Sequence, residues 1–132
     1  MSQTTIATDH KTQVIDVTAQ CLSLIGNVKN GIAVFHLTHT TAALILCEHD
    51  AELREDFVKV ADRWLRDLRP FRHAQHTNPN AEAHILSAFA GASLTIPIVN
   101  GALALGVWQN ILLLEMDGPR QRTITCMTVE SA

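Results

Sequence analysis

Six of the seven histidines lie in one stretch of the chain, beside short polar segments. The six are His36, His39, His49, His73, His76 and His84. Imidazole is the commonest metal ligand in proteins, and it also exchanges protons near neutral pH. Three imidazoles with an open fourth position are typical of a catalytic zinc ion. The pattern therefore favours a functional site built from the middle of the chain. Among the kinds of site that histidines form, we consider a metal site first.

The local pattern ranks these histidines without fixing a ligand set. His36 and His39 lie three apart in an extended run, so they leave opposite faces of a strand and at most one should be a ligand. We prefer His39, which lies at the strand end beside two threonines. His84 falls near the start of a predicted helix, where the helix dipole favours a neutral ring, although an ordinary helix-face histidine fits equally well. His73 and His76 share one loop, and their spacing does not choose between them.

Charged residues offer further candidates. Glu48 follows an apolar strand, where it could act as a general base, hold a ligand histidine, or remain a solvated acid. Glu115 also ends an apolar strand, and it either faces the site or pairs with Arg120 or Arg122. Arginines recur at every third position from 63 to 72, which suits a solvated helix end or a phosphate-binding surface.

Composition limits the classes of protein that fit. The 132 residues predict a single domain, 1–132, with 47% hydrophobic and 17% charged residues. A net charge of −3 argues against a nucleic-acid partner. No apolar run is long enough to span a membrane, and no secretory signal is visible. Three widely spaced cysteines, Cys21, Cys47 and Cys126, predict reduced thiols in a cytoplasmic protein.

Strands outnumber helices and do not alternate with them regularly. Predicted strands cover 13–18, 31–38, 42–48, 93–98, 103–105, 107–116 and 121–129, and predicted helices cover 19–25, 50–68 and 81–90. Asp50 and Asn80 stand at the starts of the second and third helices as predicted caps. We therefore expect an α+β fold, one compact domain with a mixed or largely antiparallel sheet packed with two to three helices.

Several motifs resemble those of one family. Residues 93–109, SLTIPIVNGALALGVWQ, are similar to the signature of the YjbQ family, also called UPF0047. HTTAAL from His39, RH at 72–73, AHIL at 83–86 and LEMDGPRQR at 114–122 resemble its other conserved segments. The resemblance spans about residues 31–129, with the motifs in the same order.

This resemblance implies a compact domain that assembles as a homotrimer. It also implies a cleft in which His39, His73 and His84 hold a divalent metal, expected to be zinc, with Glu48 at the position of a family acid that could be catalytic. The activity it suggests is of the thiamine-phosphate synthase type, which joins a pyrimidine diphosphate to a thiazole phosphate and releases pyrophosphate. The alternatives are a non-catalytic module that binds a metal or a phosphorylated small molecule, and a purely structural role.

The sequence departs from the family pattern at three places. Val107 replaces the threonine of LGTWQ, and Glu82 stands where some members have a histidine. The loop 74–80 lacks the aspartates often found after RH. Any role of that threonine hydroxyl is absent, a fourth imidazole is missing, and we expect the metal affinity to differ from that of other members. The hydrophobic strands and few charges also predict association with a partner, without giving the number three.

Overall fold

The computed structural model describes residues 1–75 and 79–132. The strands are β1 (Ser2–Ala7), β2 (Gln13–Asp16), β3 (Gly31–Leu37), β4 (Ala42–Cys47), β5 (Ser93–Val99), β6 (Ala102–Leu103), β7 (Asn110–Glu115) and β8 (Gln121–Glu130). The α-helices are α1 (Thr18–Ser23), α2 (Ala51–Arg63) and α3 (Ala81–Ala90), with 3-10 turns at Arg66–Leu68 and Arg72–Gln75.

Five strands form the larger sheet, in the order β1-β8-β3-β5-β6, and each neighbouring pair is antiparallel. Strand β1 was not predicted, because its sequence Ser-Gln-Thr-Thr-Ile-Ala has only one large apolar residue. Its pairing with β8, from Ser2 opposite Cys126 to Ala7 opposite Gln121, gives these polar residues an edge position. A long-range partner thus decides the structure of a segment whose own pattern is weak.

The smaller sheet, β2-β7-β4, is also antiparallel and is covered on both faces. Ile111 and Leu113 of β7 pack toward the larger sheet, whereas Leu112 and Leu114 pack toward α2 and α3. A strand buried on both faces must be apolar at every position, which explains the continuous run from 111 to 114. The fold is therefore three layers, with the small sheet in the middle.

Helix α2 begins as predicted but ends early. The side chain of Asp50 accepts a hydrogen bond from the Leu53 backbone N–H at 2.8 Å, which caps the helix. The helix ends at Arg63 rather than near Leu68, because the chain turns there into the short 3-10 segment. Its apolar residues divide between two environments: Phe57, Ala61 and Leu65 pack on the small sheet, while Val60, Trp64 and Leu68 are exposed.

The predicted fold class is confirmed, with antiparallel sheets and three α-helices. The predicted strand 107–116 begins only at Asn110, and Val107 and Trp108 lie on an exposed turn before it. Of the helices seen in residues 1–75 and 79–132, none combines the length and the apolar character that crossing a membrane requires.

Candidate functional site

A cleft of about 560 Å³ opens where three connections meet. The walls are the β3–β4 connection, the start of α3 and the β7–β8 turn. Its lining includes His39, Thr40, Asn80, His84, Arg120 and Arg122. Two of the three histidines predicted as metal ligands, His39 and His84, therefore face one space, together with two arginines.

The floor of the cleft rests on a buried ion pair between β7 and β8. Arg122 is 2% exposed and Glu115 is fully buried. The Arg122 Nε donates to Glu115 Oε1 at 2.9 Å, and Nη2 donates to the other carboxylate oxygen and to Thr41 Oγ1. These bonds hold the guanidinium at a fixed angle and leave Nη1 as its remaining donor. Of the two partners that the sequence offered for Glu115, the structure selects Arg122.

Glu115 is ionised in this setting. Burial alone would raise the pKa of its carboxyl, but hydrogen bonds from Arg122, from the Thr8 hydroxyl and from the Asp117 backbone N–H hold the pKa below its usual value. Thr8, which directly follows β1, donates to Glu115 Oε1 at 2.7 Å, so the pairing of β1 with β8 places a residue at the floor that was not predicted.

A hydrogen-bonded chain of side chains crosses one wall of the cleft. Asn80 Oδ1 lies 3.1 Å from His73 Nε2, and Asn80 Nδ2 donates to Asp117 Oδ2 at 2.9 Å. Arg120 donates to the same Asp117 oxygen at 2.9 Å. Burial raises the pKa of Asp117, yet the bonds from Asn80 and Arg120 together bring it below its usual value. Asn80 was predicted as a helix cap, but its side chain makes no capping bond and links His73 to Asp117 instead.

His39 is held by the backbone of β8. Its Nε2 accepts a hydrogen bond from the Thr123 N–H at 2.8 Å, so the ring proton of the neutral form lies on Nδ1. Burial, followed by the charge of Arg122, lowers the pKa of the ring, and the neutral form is therefore favoured. In this position the neutral His39 carries its donor at Nδ1, and the lone pair of Nε2 is already used by Thr123.

The rings of His73 and His84 lie against each other. Their centroids are 5.0 Å apart with the planes at 90°. An ion bound tetrahedrally to two imidazoles, with bonds of about 2.0–2.1 Å, keeps the ring centroids about 5 Å apart. Asn80 accepts from His73 Nε2, so that nitrogen is not the one that would bind a metal. The centroid separation of the two rings is that of two imidazoles on one ion.

A third ligand does not join this pair within a single chain. Across residues 1–75 and 79–132, no three histidine, cysteine or acidic side chains are arranged to hold one ion. For His39 to become that ligand through Nε2, its bond to Thr123 has to break. His76, the alternative ligand in the same loop as His73, and Asn78 fall outside the described residues.

Comparisons with known proteins settle the family. The family model described as UPF0047 protein YjbQ-like matches residues 2–131. The chain belongs to the YjbQ family, UPF0047. A UPF0047 protein of Archaeoglobus fulgidus is 33% identical over 120 residues, covering 91% of this chain and 94% of the relative. Another, from Methanocaldococcus jannaschii, is 36% identical over 120 residues, covering 89% and 85%.

Solved structures agree over nearly the whole length. A hypothetical protein from Aeropyrum pernix superposes with a TM-score of 0.89 at 38% identity, with 98% of each chain covered. A YbjQ-like protein of unknown function from Sulfolobus solfataricus gives 0.90 at 32% identity, covering 98% of this chain and 96% of that one. The YjbQ fold and the family membership are thereby shown, while the function of the family is not.

Glu48, which matches a family acid, and Glu82, which departs from the family pattern, both lie away from the cleft. Glu48 is exposed and follows Cys47, which pairs with Asn110, whereas the cleft end of β4 is Ala42. The structure therefore puts Glu48 beyond the opposite end of the strand. Glu82 forms a two-pronged ion pair with Arg69 on the far side of α3.

The other histidines are dispersed. His36 shares the outer sheet face with Ile32 and Val34, and its Nδ1 lies 2.6 Å from Ser93 Oγ. His49 precedes α2 and is half-buried. The residues that sequence analysis missed are Asn80, Asp117 and Thr8. The DGPR motif was a signal for Asp117, but nothing local pointed to Thr8.

Proposed function

We propose that this YjbQ-like protein binds a phosphorylated small molecule in the cleft. The observation that carries the proposal is the fixed set of donors around one space: Arg122 held by Glu115, Arg120 held by Asp117, and the Nδ1–H of His39. Phosphate oxygens accept hydrogen bonds from all three, and a guanidinium matches a phosphate edge. The hydroxyls of the β3–β4 connection extend the same surface.

Prior orientation of these donors supports an anion rather than a cation as the occupant. Arg122 and Arg120 are positioned by carboxylates before any ligand arrives, so binding requires little rearrangement. The neutral His39 can donate without adding the cost of a buried charge. A cation on its own would meet two guanidinium groups here, and the Asp117 carboxylate that also lines the cleft is already bound by Asn80 and Arg120.

A divalent metal is the second part of the proposal, and it is supported by the spacing of His73 and His84. These two imidazoles would hold the ion, and the bound molecule would complete its coordination. A bound zinc ion would supply Lewis-acid stabilisation of negative charge on a phosphate leaving group. His39 joins the ligand set only if its ring turns away from Thr123.

Catalysis by this cleft would be phosphate chemistry of the type that the family resemblance suggests. Arg120 and Arg122 would bind the diphosphate of one reactant and stabilise the pyrophosphate that leaves. Glu48 enters this scheme only if a second chain brings it to the cleft. A non-catalytic binding module uses the same residues without turnover, and assay of pyrophosphate release from a pyrimidine diphosphate with a thiazole phosphate distinguishes the two.

Calorimetric titration of the full chain with inorganic pyrophosphate tests the binding proposal. We expect binding that Arg120→Gln weakens about tenfold, since a charge-assisted hydrogen bond is lost. Arg63→Gln, which removes the same charge from the end of α2, is the matched control and should leave the affinity unchanged. Equal affinity in Arg120→Gln and the native protein would reject the cleft as the site.

Metal content per chain, measured by mass spectrometry on untagged protein, tests the metal. We expect about one zinc-like ion per chain, lost in His73→Ala and His84→Ala and retained in the control His36→Ala, whose ring lies on the outer sheet face. Loss in His39→Ala as well would establish the three-histidine set. Full occupancy in His84→Ala would overturn the assignment.

We further propose a homotrimer built on the outer face of the large sheet. Six neutral side chains lie together there: Ile32, Val34, Pro97, Val99, Met127 and Val129. Four of them are 39% to 55% exposed, and the outward positions of β3, β5 and β8 carry no aspartate, glutamate, lysine or arginine. Apolar surface of this kind is typical of association.

Analytical ultracentrifugation tests the trimer. The native protein should sediment with the mass of three chains, and Met127→Glu should sediment with the mass of one chain. The control Val60→Glu, which changes an exposed residue of α2, should keep the mass of three chains.

A reducing, cytoplasmic setting completes the proposal. Cys21, Cys47 and Cys126 are all free thiols in the structure. Burial raises the pKa of Cys21 to about 12, so its thiol is unreactive. Labelling of cell extracts with a thiol reagent before and after denaturation would show three reduced cysteines per chain.

A further inference from the structure

A second cavity lies on the other side of Asn80 from the cleft. We call it the helix cavity, because its walls are α2, α3, the 3-10 turn after α2 and the β1–β2 loop. Its volume is about 270 Å³, and it is more enclosed than the cleft. Asn80 lines both spaces.

The charged residues around the helix cavity differ in whether they have hydrogen-bonding partners. Both acids are engaged: Glu82 by the fork of Arg69, and Asp62 by the Thr12 hydroxyl at 2.7 Å. Lys11, in contrast, has no side-chain hydrogen bond or ion pair to any residue in the described ranges. Arg66 makes only a 3.4 Å contact with the Asp62 carbonyl oxygen. Among the described residues, Lys11 and Arg66 therefore face the cavity outside any ion pair, beside an Asp62 carboxylate that a neutral hydroxyl binds but does not neutralise.

The loop that carries Lys11 is fixed against the β7–β8 turn. The Gly118 N–H donates to the Lys11 carbonyl oxygen at 3.0 Å. A Cβ at Gly118 would lie 2.1 Å from the His10 carbonyl oxygen, so only glycine permits this approach. The position of Lys11 at the rim is thus set by the same turn that carries Asp117 and Arg120.

The floor of the helix cavity is apolar. Ala83, Leu86 and Met116 are each buried to a relative exposure of 6% and line it from below. Small-molecule sites typically combine such a floor with a few polar groups that fix orientation. A ligand that fits has a doubly charged head for Lys11 and Arg66 and a short carbon chain for the floor. The arginine repeat from 63 to 72, which the cleft does not use, supplies one of the two cations.

We propose that the helix cavity is a second anion site, which takes a small phosphomonoester with its phosphate on Lys11 and Arg66. The site is separate from the cleft, and its ligand does not depend on the cleft's being a phosphate site. Two phosphorylated molecules, or two ends of one molecule, would then meet at the wall formed by Asn80.

The probe for this site is n-butyl phosphate, followed by amide chemical shifts in NMR spectra of the full chain. The amides of Thr12 and Ala83 report on the helix cavity, and those of Thr40 and Gln121 report on the cleft. We expect saturable shifts at Thr12 and Ala83. Lys11→Gln and Arg66→Gln should each weaken this binding about tenfold, the effect of losing a charge-assisted hydrogen bond.

Two controls separate this proposal from the proposal for the cleft. Arg63→Gln removes a neighbouring charge outside the cavity and should change the affinity less than twofold. Arg120→Gln should leave the Thr12 and Ala83 shifts intact even where it abolishes those of Thr40 and Gln121. No saturable shift at Thr12 and Ala83 up to millimolar probe, or equal losses in Arg63→Gln and Arg66→Gln, would overturn the second site.

Discussion

The cleft and the helix cavity lie on opposite sides of Asn80 but differ in what balances their positive charges. In the cleft, Arg122 and Arg120 are each bound to a carboxylate of the protein. In the helix cavity, Lys11 and Arg66 have no such partner within the described residues. Ordering a long flexible side chain on binding costs about 0.5–1.5 kcal/mol. If both spaces bind anions as proposed, we expect the cleft to be the more selective and the cavity to bind more weakly and to be screened by salt.

The largest difference should appear in stability, because the cleft contains a buried arginine–carboxylate pair and the pair at the helix cavity is partly exposed. The Arg122–Glu115 pair is buried, and Glu115→Ala leaves the guanidinium buried without its counter-charge, which costs about 3–5 kcal/mol. The Arg69–Glu82 pair has side chains that are 52% and 20% exposed, and Glu82→Ala should cost about 0–1 kcal/mol.

Urea denaturation of the two variants measures this contrast. The double variant Arg122→Met with Glu115→Leu is the control for the burial itself, and it should recover much of the loss because no unpaired charge remains. A loss below about 1 kcal/mol in Glu115→Ala would show that water reaches Arg122, and the view of a rigid cleft floor would then be wrong.

The second contrast is in the pH dependence of stability. The pKa of Glu115 is lower in the folded chain than in the unfolded chain, where it is near 4.5. Above pH 4.5 its contribution is fully present, and it is lost as the pH falls from there through the folded pKa, because the unfolded state then binds more protons. The difference in unfolding free energy between the native chain and Glu115→Ala should therefore shrink below pH 4.5.

Glu82→Ala provides the comparison for this pH series. Its exposed pair should contribute little at any pH, so the difference between the native chain and that variant should stay nearly constant. A constant difference for Glu115→Ala as well would show that its carboxyl does not titrate differently in the folded and unfolded states.

The third contrast, intermediate in size, is in how strongly salt weakens ligand binding at the two sites. Raising the ionic strength from about 0.05 M to 0.5 M shortens the screening length from roughly 14 Å to 4 Å. We expect the affinity of the helix cavity for n-butyl phosphate to fall several-fold, since Lys11 and Arg66 are exposed. Pyrophosphate in the cleft should lose less affinity because Arg122 is buried. Titrations at both salt concentrations check this, and equal losses would remove the distinction between the regions.

The sequence predicted the elements better than the site, and the reason is the range over which each is determined. The run from 111 to 114 and the Asp50 cap are local patterns, and both formed as expected. Strand β1 depends on β8, more than a hundred residues away, and was missed. The end of α2 was misplaced because its apolar spacing continues past Arg63 although the helix does not.

The site shows the same division. His39 and His84 were identified from the sequence, and both line one cleft. The hydrogen bond from the Thr123 N–H to the His39 ring joins residues 84 apart and has no sequence signal. Glu48 follows the right strand but at its opposite end, a distinction that requires the register of β4 on β7. The family motif could place His73 beside His84, but it could not show that Asn80 links His73 to Asp117.

The smallest effect is expected at Asn80, the residue that the two regions share. Asn80→Ala removes two side-chain hydrogen bonds, to His73 and to Asp117, without removing a charge. Each is worth about 0.5–1.5 kcal/mol, and water can replace part of both because the residue is only half-buried. Asp117 would then hold Arg120 less firmly, so the affinity of the cleft for pyrophosphate should fall about two- to threefold.

The helix cavity is the comparison for this variant. Its cations have no hydrogen bond to Asn80 among the described residues, so it should keep its affinity for n-butyl phosphate. A larger loss in the cavity than in the cleft would mean that Asn80 supports α3 as a whole, and the two regions would then have to be treated as one site.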